Sequence, residues 1–68
     1  RTNADYAHEA DLLGVAVACL ESDLEQALYE NHAPAKITQA RQALARAKRR
    51  SLDFTKMHWD KIIAASHL

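Results

Sequence analysis

Glycine and proline occur once each in this sequence, as Gly14 and Pro34, so the chain carries punctuation for little more than one break. Cysteine also occurs once, as Cys19. That excludes an internal disulfide framework and any zinc-finger spacing. A lone thiol fits a reducing, cytoplasmic compartment. Aromatic residues make up only 6% of the chain. No apolar run approaches the roughly 18 residues needed to cross a bilayer, which predicts no membrane span. The sequence opens on Arg1 rather than Met, which points to a trimmed or processed start and leaves any targeting segment unread.

What remains is helical in character. Hydrophobic residues reach 49% of the 68, and 14 of them are alanine. Leu, Glu, Gln, Lys and Arg fill most of the rest, all strong helix formers, while β-branched residues are few. One domain is the upper limit at this length. A core this small rarely supplies more than about 3–5 kcal/mol, so a second chain is expected to complete it.

The charges are sorted by half. Residues 1–33 carry seven acidic side chains against Arg1, a net of −6, and residues 34–68 carry eight basic ones against Asp53 and Asp60, a net of +6. The total of zero hides two blocks that attract each other or outside partners of opposite sign.

Periodicity predicts two helices within a single domain spanning 1–68. The first runs over about 3–31, capped by Thr2 or Asn3 and with Asp5 favoured in its first turn. Its apolar positions Tyr6, Ala10, Leu13, Val17, Leu20, Leu24 and Ala27 step by four and three, a heptad seam. A turn at 32–34 ends in Pro34, which suits the first position of a helix. The second helix runs over about 34–66, with the seam Ile37, Ala40, Leu44, Ala47, Ser51, Phe54 and His58. Folded antiparallel, the seams pair from Ala27–Ile37 at the turn to Tyr6–His58 at the far end. The same register brings Glu30 to Lys36 and Glu21 to Lys48. The expected fold is therefore all-α: an antiparallel two-helix hairpin, completed to a helical bundle by dimerisation or by a partner helix.

The residues this register leaves over suggest where a partner binds. Leu12, Val15, Ala16 and Cys19 form a second apolar strip on helix 1. On helix 2, Leu52, Trp59 and Ile63 share a flank, and Trp59, Ile62, Ile63 and Leu68 overhang the end of helix 1. The expected partner-binding residues are Leu12, Val15, Cys19, Leu52, Trp59, Ile62 and Ile63, serving a homodimer or a helix of another protein.

An alternative uses the basic run 41–50, with Arg46, Arg49 and Arg50 binding nucleic-acid phosphates. These residues spread around the helix, Arg49 and Arg50 can pair with Asp53 at helical spacing, and no reading-helix turn accompanies them. Asp5, His8 and Asp11 share a face, yet that set is poor in the His and Cys that zinc prefers, so a solvated acidic face is expected and no metal. His58 is expected to be a hydrogen-bonded core histidine, and His32 and His67 belong to the turn and the tail. Cys19 has no His within a helical turn and reads as a buried structural thiol rather than a nucleophile. No phosphate loop, protease motif or concave pocket is indicated, so neither enzyme nor cofactor is expected.

In length and heptad layout the chain resembles the small helical hairpins that dimerise into four-helix bundles, such as the Rop type of plasmid regulator. It is also similar to the hairpin co-chaperones that hold needle subunits in type III secretion. The likeness implies a small adaptor, co-chaperone or assembly subunit and carries over no functional residue.

Overall fold

The computed structural model describes residues 1–66, so the tail histidine His67 and the overhanging Leu68 lie outside the described residues. Those described are all-helical: α1 spans Asn3–Tyr29, α2 Pro34–Met57 and α3 Trp59–Ser66. α1 packs against both α2 and α3. A 27-residue helix is about 40 Å long, and the whole molecule measures 46 × 18 × 15 Å, the breadth of helices lying side by side.

Each helix end follows from local chemistry. Thr2 caps α1 through a reciprocal box: its Oγ1 accepts from the Asp5 N–H at 3.2 Å, and its own N–H donates to Asp5 Oδ2 at 2.9 Å. The Thr2 backbone N–H foremost, and the Thr2 hydroxyl after it, hold the Asp5 carboxyl below its usual value. At the other end Asn31 takes φ 56°, the left-handed conformation that asparagine tolerates better than most residues. The Asn31 N–H then donates to Leu28 O at 3.3 Å and the His32 N–H to Ala27 O at 3.0 Å. This is a Schellman closure, which satisfies carbonyls that the helix end would leave open. Pro34 follows at the first position of α2, where its missing N–H costs nothing.

Burial follows the heptad positions. From Ala10 to Tyr29, α1 is covered only at Ala10, Leu13, Val17, Leu20, Leu24 and Ala27. Along α2 and its cap the covered positions are Ile37, Ala40, Leu44, Ala47, Ser51, Phe54 and His58, joined by Ala43 and Thr55. At the far end Tyr6, Phe54 and His58 form an aromatic cluster. The Tyr6 ring centroid lies 4.5 Å from His58 and 6.3 Å from Phe54, and Phe54 lies 4.7 Å from His58.

The second helical segment departs from the expected continuous run to Ser66. It breaks at His58, which adopts φ −117°, ψ 23°. The backbone ladder crosses the break through the His58 N–H to Phe54 O (3.1 Å) and the Ile62 N–H to His58 O (3.0 Å). A straight helix over 34–66 would reach about 50 Å and leave its end uncovered. Bending at His58 seats that imidazole against Tyr6 and turns α3 back onto α1, so Ile62 and Ile63 gain cover. The overhang expected for them is therefore absent. Lys61 joins the same clasp, its Nζ 5.1 Å from the Tyr6 ring centroid, with Arg1 Cζ at 5.3 Å.

Candidate functional site: the uncovered side of α1 and the basic helix

The core is thin. Among the described residues only Ala27 and Leu44 are buried, and no side chain is fully enclosed. Large apolar side chains stand outside instead: Leu12 is 50% exposed, Val15 59%, Leu52 54% and Trp59 56%. Five of the seven expected partner-binding residues, these four and Cys19, are therefore open to solvent. Ile62 and Ile63 are half-buried in the α3 clasp.

Cys19 is exposed, which corrects the reading of it as a buried thiol. It lies on the side of α1 away from the seam, where the chain offers no cover. Leu28, Met57 and Tyr29 are exposed as well, Tyr29 at 89%, and none of them belongs to the expected binding set. They fall outside both strips, and only their size and hydrophobicity mark them.

The sequence holds a stronger signal, which a search for seams does not register. The nine residues from Leu12 to Leu20 carry no charge. Six of them, Leu12, Gly14, Val15, Ala16, Ala18 and Cys19, are exposed, while Leu13, Val17 and Leu20 face the seam. A helix that is apolar all round is one that expects neighbours all round. Gly14 adds room, since a Cβ built there meets nothing within 4 Å.

Among the described residues no ion pair ties the acidic α1 to the basic α2. The expected pairs Glu30–Lys36 and Glu21–Lys48 do not form. Glu30 is drawn to the turn, where its Oε1 accepts from His32 Nε2 at 2.9 Å and its Oε2 from Gln26 Nε2 at 3.4 Å. Arg49 pairs with Asp53 at 4.0 Å along α2, an exposed contact worth little; Arg50 makes no such pair. Arg46, Arg49 and Arg50 are all exposed.

Other chemistry is sparse. An open groove of about 360 Å³ at the turn is lined by Asp23, Gln26, Ala27, Glu30, His32, Lys36 and Ala40, with acid and base mixed. Among the described residues no group of three His, Cys, Asp or Glu side chains could hold a metal ion, and Asp5 of the His8 set is engaged in the Thr2 cap. No helix among them is long and apolar enough to cross a membrane. The chain matches no protein-family model, no curated protein and no solved structure.

Proposed function

We propose that this chain is a non-enzymatic protein–protein interaction module of the cytoplasm, serving as a small adaptor, co-chaperone or assembly subunit. It acts as an antiparallel α-hairpin joined along a heptad seam. A second copy, or a helix of another protein, completes it to a helical bundle. The observation that carries this reading is the mismatch between core and surface. Among the described residues only two side chains are buried, while Leu12, Val15, Leu52 and Trp59 lie open at half their area or more. Covering them stabilises the fold and the complex together, because binding and folding share one free energy.

Sedimentation equilibrium and circular dichroism across a dilution series test the reading. The expected result is an oligomer whose helicity falls as it dissociates. A fully helical monomer at every concentration, with no gain from any added helix, would remove it.

A further inference from the structure

The interaction reading leaves open which surface covers α1, and the distribution of charge answers that. Acidic residues bracket the uncharged stretch from Leu12 to Leu20 on both sides, Asp5, Glu9 and Asp11 before it and Glu21, Asp23 and Glu25 after it. Suppose two copies of α1 lie together, antiparallel about Ala16. Asp11 then meets Glu21 of the other copy, and Glu9 meets Asp23. In a parallel arrangement each acid meets its own counterpart. Both arrangements juxtapose like charge along the contact.

α2 offers the opposite surface. Arg41, Arg46, Lys48, Arg49 and Arg50 are exposed, and within the chain none of them is ion-paired to α1. The aliphatic stems of such residues cover apolar surface while their charged ends reach outward to carboxylates. The zero net charge of the whole chain means that two copies meet without overall repulsion.

Resting on the interaction reading above, we propose that the partner is a second copy of this chain, docked so that α1 of each copy lies on α2 of the other. The apolar Leu12–Cys19 surface of α1 then sits under the basic block of the neighbouring α2, and the acids at both ends of the stretch meet its cations. The two contacts are equivalent by a twofold axis, so the assembly closes at two copies. A stable dimer of standard size buries about 800 Å² per partner, roughly 15% of the 5236 Å² that this chain exposes.

Charge reversal tests the arrangement. The triple variant Glu21→Lys, Asp23→Lys, Glu25→Lys should weaken dimerisation at least about tenfold in sedimentation. Adding Arg46→Glu, Arg49→Glu and Arg50→Glu to the same chain should restore it. An unweakened α1 triple, or failure of the second triple to restore a weakened one, overturns the arrangement while the interaction reading stands. A helical monomer for the native chain overturns both. Should the triple variant lose helicity, mild oxidation of the native chain decides the matter. Rapid, complete Cys19–Cys19 cross-linking would put the two α1 helices side by side and end the proposal, whereas slow and partial cross-linking is expected.

Discussion

α1 and α2 are similar in length and contribute to one seam, yet they are built on different plans. Outside its seam α2 is charged along 41–50, the pattern of a helix with one neighbour and one wet side. Through its middle α1 has no wet side. Charge returns only before Leu12 and after Leu20, and the exposed positions between are Leu, Gly, Val, Ala and Cys. Within one chain, then, α2 is provided for along 41–50 and the middle of α1 is not. The difference shows that a good heptad seam is not the whole of a helix's demand for partners; the composition of its opposite side matters equally.

The contrast is sharpest where the seam itself is attacked. Leu44 is the larger of the two buried side chains, and Leu44→Ala should remove about 2–5 kcal/mol, comparable with everything a core of this size supplies. Urea titration followed by circular dichroism should find the variant largely unfolded. A mild loss would mean that the seam is not the main support.

Val15→Glu attacks the other side of α1, where the side chain stands open to solvent and has little intrachain cover to lose. Helicity at high concentration should persist, while the dissociation constant rises at least about 30-fold, as for an interface hot spot of about 2 kcal/mol. An unchanged dissociation constant would make α1 no different from α2.

Trp59→Ala is expected to weaken assembly less, about tenfold, because nearly half of this side chain already lies against its own chain. The single tryptophan also reports on assembly directly. Its emission should shift to the red as the native chain is diluted, and a fixed emission maximum would take Trp59 out of the interface.

The smallest effect concerns the start of α1. The Asp5 pKa is lowered in the folded state, so its contribution is complete above the usual carboxylate range. It disappears as pH falls through the folded value. Helicity monitored from pH 5 downward should show a small loss below roughly pH 4 that Asp5→Asn abolishes. A loss that persists in the variant would belong to other carboxylates.

Much of this architecture is legible in the sequence because helical periodicity is a local property. All-helical character, the Thr2 cap, the proline start of α2 and the covered positions of α1 from Ala10 to Ala27 follow from residue type and spacing, whereas the cover of Ala7 and Glu9 does not. The break at His58 is not legible. No glycine or proline marks it, and its cause is tertiary: the imidazole seats against Tyr6, which lies far away in sequence. The turn is only half legible. Pro34 announces it, but Asn31 makes the reversal, and an asparagine at φ 56° looks like any other asparagine in a sequence. The interhelical pairs fail for another reason. Exposed carboxylates take the nearest donor, and for Glu30 that is His32, two residues away. The exposure of Cys19 reflects a single chain, since the seam uses only one side of α1.

The compact reversal at Asn31 also sets an order of events. Contacts beside the turn close loops of a few residues, whereas Tyr6 and His58 lie 52 positions apart (58 − 6). Loop-closure entropy rises with that separation, so pairing should zip outward from the turn, each closed layer shortening the loop left for the next. The aromatic clasp and α3 are then last to form and first to open. Amide exchange should be slowest near Ala27 and Leu44 and fastest in α3. Opening there would bare Ile62 and Ile63 while the turn stays shut, giving the molecule a hinged end and a fixed one.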